Sequence, residues 1–417
     1  MGSKKYIFLT NSLGGVSGGP SYVKNKTEWL RNNSWIVYAF DHLGASKYES
    51  IFYDTLKPYK NNRLGVLFFN PALFSESYRD KVIRKILKLI SWTQDDDVVV
   101  ESNLQTLAAW GEILSQRINA KHLIYLIAES ESVNSDKSFD YFNFKFKRDE
   151  LFFIKPQAAP IFFKHYLKLE EDQRHYWAAN SAIPADNSIR TVFDDIPDGS
   201  VVITFFGRCK PYFYPCLNEV LSFAKKYETT SFLLLLVGED YPKRNVRQLF
   251  GSITNVTVQF HNALFPVPQS LFDKSTVVIA NAGCARISFL AGAITITIDV
   301  EQNYPLGVLG FTTENITYRK DLKLPSQSLG ELLEAVIVNK EYTSIPLFNP
   351  FENIINGYDY QVGFVNDDRE YWAGTLNREN DRGCFGFCLR ILVGKLHFIG
   401  LGSFLRFSLY KIRSFSK

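Results

Sequence analysis

The run Val201-Val202-Ile203-Thr204-Phe205-Phe206 leads into Gly207-Arg208-Cys209-Lys210, and Phe232-Leu233-Leu234-Leu235-Leu236-Val237 leads into Gly238-Glu239-Asp240. Each is an unbroken apolar stretch, short for a helix, that stops at a glycine beside charged residues. Such runs read as strands buried on both faces of a parallel sheet. Between them, Leu217–Tyr227 reads as a helix. Downstream the alternation continues: helix over Arg244–Phe250, strand over Val256–Phe260, short helix over Ser270–Lys274, strand over Val277–Ala280, helix over Cys284–Leu290 and strand over Ile294–Asp299.

The first 130 or so residues repeat the pattern. Tyr6–Thr10, Trp35–Phe40, Leu64–Phe69, Val98–Val100 and Leu123–Ala128 read as strands. Ser21–Arg31 reads as a helix. Val82, Ile83, Ile86, Leu87 and Ile90, then Leu104, Leu107, Leu114 and Ile118, recur at helical spacing. Between Ser130 and Arg190 the alternation fades, and a boundary is expected between Asn187 and Gly199. The fold class expected is α/β, with two tandem Rossmann-like doubly wound units at 1–190 and 198–345 and a C-terminal extension at 346–417. Right-handed crossovers place the loop after each strand on a common edge, where such sheets bind ligands.

At 417 residues with 46% apolar and 22% charged residues, the chain can build sizeable cores. Five Cys do not make a disulfide framework at this length, and Cys384 and Cys388 lack a second ligand pair for zinc, so no metal site is expected. Met1–Thr10 lacks the apolar length of a signal peptide, and a cytoplasmic location is expected. From Asp381 to Lys417 seven cations face one acid, so this stretch carries +6 of the overall +4 and the rest carries −2. A body without net positive charge argues against nucleic acid as partner.

Several loops could carry chemistry. Asn11–Pro20 holds Gly14, Gly15, Ser17, Gly18 and Gly19 between a strand and a helix, where free helix amides suit an anion. Gly207, Arg208 and Lys210 end a strand, and the two cations suit a diphosphate. Asn281, Gly283, Cys284, Ala285 and Arg286 open another helix, where small residues serve anion binding or close packing. Glu239 suits ribose hydroxyls. The backbone of His261, Asn262 and Leu264 suits a base. Asp41, Glu101, Glu129 and Glu131 end strands of the first unit, where a general base for a hydroxyl would be placed. Asp95-Asp96-Asp97 precedes a strand and reads as a solvated turn.

Together these features resemble the GT-B glycosyltransferases, most closely the retaining group called family four. The resemblance spans roughly residues 5–310. It rests on Gly14-Gly15 with Gly18-Gly19, the turn Ile183-Pro184-Ala185-Asp186, the Gly207-Arg208 and Lys210 set, Val237-Gly238-Glu239, and the stretch Val256–Leu264. The paired Glu residues usual in that group are absent, since 286–292 read Arg-Ile-Ser-Phe-Leu-Ala-Gly. The resemblance implies a nucleoside diphosphate sugar donor held by the second unit and a saccharide acceptor held by the first. Arg208, Lys210 and the amides of Gly283–Arg286 would stabilise the leaving diphosphate, with no cofactor and no metal. Asp41, Glu129, Glu131 and Arg208 are the catalytic candidates. A non-catalytic scaffold of the same fold, or a sugar-nucleotide epimerase or hydrolase, are the alternatives.

Cys384–Lys417 interleaves Phe, Leu and Ile with its cations, which suits an anionic membrane interface or a segment packed on the first unit. Membrane attachment fits a lipid-linked acceptor, as in bacterial surface polysaccharide synthesis, at the inner face of the plasma membrane.

Overall fold

The computed structural model describes residues 2–10, 18–41, 64–127, 131–133, 135–154, 158–164, 166–169, 185–188, 191–209, 213–239, 241–264, 267–299, 304–316, 327–342, 345–351 and 368–374. The chain divides into two compact units. One comprises Met1–Asn180 with Ile354–Lys417, and the other Ser181–Asn353.

The first unit holds a parallel five-stranded sheet. Its strands are β1 (Lys4–Thr10), β2 (Ile36–Asp41), β3 (Asp97–Ser102), β4 (Lys121–Leu126) and β5 (Leu151–Phe153), in the order β2-β1-β3-β4-β5. Helices α1 (Gly18–Asn32), α2 (Glu76–Leu89), α3 (Gln105–Ile118), α4 (Asp136–Lys147) and α5 (Ala158–Phe163) connect and cover it. All six residues of β1 after Lys4 are buried, as expected for a strand covered on both faces.

The second unit holds six strands in the order β11-β10-β9-β6-β7-β8. These are β6 (Val201–Phe206), β7 (Phe232–Val237), β8 (Val256–His261), β9 (Val277–Ala280), β10 (Thr295–Ile298) and β11 (Pro305–Val308). Five run parallel and β11 pairs antiparallel with β10. Its helices are α6 (Phe213–Lys226), α7 (Lys243–Phe250), α8 (Gln269–Asp273), α9 (Ala282–Leu290) and α10 (Leu329–Leu333). Two tandem Rossmann-like α/β units are therefore the fold.

The structure corrects four expectations. Leu64–Phe69 is no strand: Gly65–Phe68 forms a 3-10 turn, with Val66 and Leu67 buried beneath α2 and α3. Its apolar run serves one core cluster, which periodicity does not distinguish from a strand. The faded region carries α4, β5 and α5, whose Phe142, Phe153, Phe162 and Phe163 pack together. Asp96 is not solvated. Its carboxylate meets Lys5 Nζ at 2.6 Å with both side chains at most 5% exposed. Burial opposes ionisation there, but bonds from Lys5, Ser3 and the Thr93 amide hold its pKa well below the usual range. Finally, β11 adds an antiparallel edge strand that the sequence pattern does not announce.

Glu101, near the end of β3, is fully buried as a carboxylate. Tyr6 Oη (2.5 Å), Tyr22 Oη (2.9 Å), Lys26 Nζ (2.7 Å) and Asn103 Nδ2 (2.7 Å) all donate to it. One charge thus ties β1, α1 and β3 together. Burial lowers the pKa of Lys26 and raises that of Tyr6. Removing one partner of such a pair leaves the other charge buried alone. Lys26→Ala is therefore expected to cost about 3–5 kcal/mol in denaturant unfolding. Lys226→Ala, which breaks the exposed pair with Glu334, should leave the denaturant midpoint nearly unchanged.

Candidate functional site

In each sheet the chain order reverses at one point. In the second unit, β6 lies between β7 and β9. The loops after β6 and β9 then diverge to opposite faces, and ligands of doubly wound sheets sit at such a switch point. The register brings the carboxyl ends level: Phe206 pairs with Val237 and Ala280, and Val237 with His261.

Backbone bonds lace this edge. Gly207 N donates to Val237 O (2.9 Å), Gly238 N to His261 O (3.0 Å) and Cys209 N to Glu239 O (2.8 Å). Gly207 and Gly238 have φ of +136° and +149°, a region open to glycine at little cost. A Cβ on Gly238 would stand 1.9 Å from Gly207 O, so the two loops touch through bare backbone. A Cβ on Gly207 would stand 3.4 Å from Cys284 Sγ. Gly207 thus lies beside the first turn of α9.

Helix α9 starts here. Asn281 is its N-cap without a side-chain cap bond, and Ala282 has φ +46°. Gly283 is exposed, with open space where a Cβ would be. First-turn amides have no acceptor within a helix, and the dipole adds partial positive charge there. Arg208, two residues past the end of β6, is exposed. Burial pushes the Cys284 thiol up to about 12, so it stays protonated and acts as a small spacer.

Of the other expected donor contacts, Ala285 is fully buried inside α9. Arg286 is buried, with its guanidinium 5.1 Å from the Phe351 ring centre. Glu239 and Leu264 are half-buried and Asn262 is exposed. His261 rests edge-on against Phe193 at 4.7 Å, and burial lowers its pKa, keeping it neutral at pH 7. Lys210 lies outside the described residues.

The first unit reverses between β1 and β3. Gly18 and Gly19 are the opening residues of α1, and a Cβ on Gly19 would stand 3.7 Å from Ile127. Asp41 ends β2 and is buried. Glu131 Oε2 accepts from the Gln105 amide at 3.2 Å, at the first turn of α3. Glu101 is enclosed by its four donors. Gly14, Gly15, Ser17 and Glu129 lie outside the described residues.

One constellation was not foreseen. Ser102 Oγ lies 3.1 Å from His122 Nε2, and His122 Nδ1 lies 2.7 Å from Glu112 Oε2, the spacing of a hydrolytic relay. It is sealed. All three residues are at most 2% exposed, and a Cβ on Gly111 would stand 2.3 Å from Ser102 Oγ, so α3 lies on the bond itself. Lys145 (2.7 Å) and the Trp372 amide (2.7 Å) complete the shell of Glu112. The group is structural. No sequence signal finds it, because its members are brought together only by β3, α3 and β4.

No family model matches the chain, and no curated protein matches it. Solved structures do. A glycosyltransferase from Rickettsia africae ESF-5 aligns over 70% of this chain and 79% of its own, at 14% identity and a TM-score of 0.50. The S. aureus MnaA–UDP co-structure covers 89% and 100% at 13% identity and 0.47. The apo form of the lipopolysaccharide outer core galactosyltransferase WaaB covers 94% and 99% at 11% identity and 0.46. The likeness to the Rickettsia enzyme is one of fold, the two Rossmann-like units of the GT-B class.

Gly238→Ala should lower stability by about 2 kcal/mol or more, from strain and backbone overlap together, read as a fall in denaturant midpoint. Gly283→Ala, in open space on a helix, should leave it within about 1 kcal/mol. For the sealed relay, burial lowers the pKa of His122. Burial opposes ionisation of Glu112, yet His122 and Lys145 bring its pKa down to about 2. Both groups bind protons more weakly folded than unfolded, so their stabilisation is lost as pH falls. That loss starts below about 6.5 for His122 and about 4.3 for Glu112. The melting temperature should fall from pH 7 to 3, and Glu112→Gln should flatten the acid limb below pH of about 4.3.

Proposed function

We propose that this chain is a glycosyltransferase that moves a sugar from a nucleoside diphosphate donor to a saccharide hydroxyl. The observation that carries the reading is the edge at β6 and β9. There the bare backbone of Gly207 and Gly238 lies at the carboxyl edge of the sheet, Gly207 is next to the first turn of α9, and the exposed Arg208 follows it in the chain. The fold likeness to the Rickettsia glycosyltransferase supports it.

The chemistry follows from that edge. The bond from the anomeric carbon to the diphosphate oxygen breaks, the acceptor oxygen bonds to that carbon, and the acceptor proton passes to a base. Negative charge grows on the departing diphosphate. Preorganised amides and the Arg208 guanidinium bind that charge more strongly in the transition state than in the ground state, which lowers the barrier. Lys210 would add a second cation. Glu239 and the His261–Leu264 backbone would hold ribose and base. In the first unit Asp41, Glu129 and Glu131 are the candidates for the base. A lipid-linked acceptor of a bacterial surface polysaccharide, met at the inner face of the plasma membrane, belongs to the same reading.

Arg208→Ala is expected to leave the fold intact, because the side chain is exposed, and to lower donor turnover about a hundredfold. Nucleoside diphosphate release is the readout, and unchanged turnover would remove Arg208 from the mechanism. A true donor at about 100 times its dissociation constant should raise unfolding stability by about 2.7 kcal/mol. If no nucleoside diphosphate binds by calorimetry, the scaffold reading wins. Conversion of donor without acceptor would favour an epimerase or hydrolase.

A further inference from the structure

The edge of a sheet is a template for a further strand, and folded proteins shorten, cover or interrupt such edges. Three of the edge strands described here follow that rule. β5 has three residues, and β11 has four with Pro305 and Gly307 among them. β2 gives its last carbonyl, that of Asp41, to the Leu64 amide at 3.0 Å. β8 is different. All six of its residues, Val-Thr-Val-Gln-Phe-His, stay in register with β7, and none is Pro, Lys, Asp or Glu. Among the described residues no strand pairs with its outer side.

The direction of its backbone follows from the ladder. Phe232 N donates to Asn255 O (2.8 Å) and Gly238 N to His261 O (3.0 Å). Along a parallel strand, alternate residues turn both backbone groups to the same neighbour. Val256, Val258 and Phe260 therefore turn their N–H and C=O groups away from β7.

Charge stands beside this edge. Lys243 Nζ and the Arg247 guanidinium of α7 lie 5.9 and 5.5 Å from the Phe260 ring centre. Both residues are exposed, as is Arg244. Lys243 and Arg247 form a like-charged i, i+4 pair, which weakens a helix. From Tyr241 to Leu264 the chain carries these three cations and no acid.

We propose that the outer edge of β8 takes up an extended acidic segment of a partner protein as a seventh strand of this sheet. Its backbone pairs with Val256, Val258 and Phe260, and its carboxylates on the α7 side meet Lys243 and Arg247. Charge complementarity selects this occupant. A second copy of β8, paired antiparallel about a two-fold axis, would set α7 against α7 and cation against cation. The proposal goes beyond the transferase reading and does not depend on it.

The test is fluorescence anisotropy of the full chain with a labelled nine-residue peptide that alternates Glu with Val. The peptide should bind, more weakly at high salt. The same peptide with Pro for every Val keeps the charge but cannot form a strand, and should not bind. Val258→Pro removes an outward N–H while leaving the ladder to β7 intact, and should weaken binding about tenfold or more. Lys243→Gln with Arg247→Gln, both exposed, should keep the melting temperature and weaken binding about tenfold. The control Arg84→Gln, Lys88→Gln removes equal charge from α2 and should bind as the wild type does. The proposal is overturned if the Glu–Val peptide does not bind, if the Pro peptide binds equally, if the α7 variant binds as the wild type does, or if the α2 control loses as much. A dimer of the chain that Val258→Pro dissociates would overturn it by placing a second copy on the edge. Binding of heparin without binding of the peptide would overturn it by making the partner a soluble polyanion.

Discussion

Strands buried on both faces of a parallel sheet cannot end in a hairpin, so each must leave the sheet at its carboxyl end and return through a covering helix. That constraint governs both units. It collects the strand-end loops on one edge of each sheet and makes the helix starts face that edge. In the second unit it brings Gly207, Gly238 and the first turn of α9 into contact. Gly238 is bare because a Cβ there would overlap Gly207 O.

Buried charge is used for assembly rather than chemistry. Glu101 joins β1, α1 and β3 through four donors, and Glu112 joins α3, β4, α4 and the strap. Each carboxylate is tolerable only because its donors replace water completely. The same completeness removes both from catalysis. A general base needs an open lone pair and a path for substrate, and Ser102–His122–Glu112 has relay distances with neither.

How far the sequence leads to the site differs by residue. The turns at Gly207 and Gly238 are legible, because an apolar strand that halts at glycine beside charged residues marks a strand end. Arg286 is not. A cation in the first turns of a helix reads as an anion contact, yet here its guanidinium is buried against Phe351, some sixty residues away in the chain. Glu131 likewise reads as a strand-end carboxylate, and the fold places it on the Gln105 amide. Such outcomes depend on which distant segment arrives alongside.

The sequence by itself determined the class: two α/β units, the positions of nine of the eleven strands among the described residues, the glycine turns, and the cation-rich stretch beyond Asp381. These are local properties, written in apolar periodicity and turn residues. Only the tertiary structure decided the strand order, hence which loops meet at the switch points. It alone turned Leu64–Phe69 into a helical turn, drew Asp96 onto Lys5 and sealed Ser102 and His122 against Glu112 of α3. These are matters of long-range pairing and burial. A short apolar run has the same pattern whether it pairs in a ladder or fills a gap between helices, and a carboxylate has the same spelling whether it meets water or a lysine.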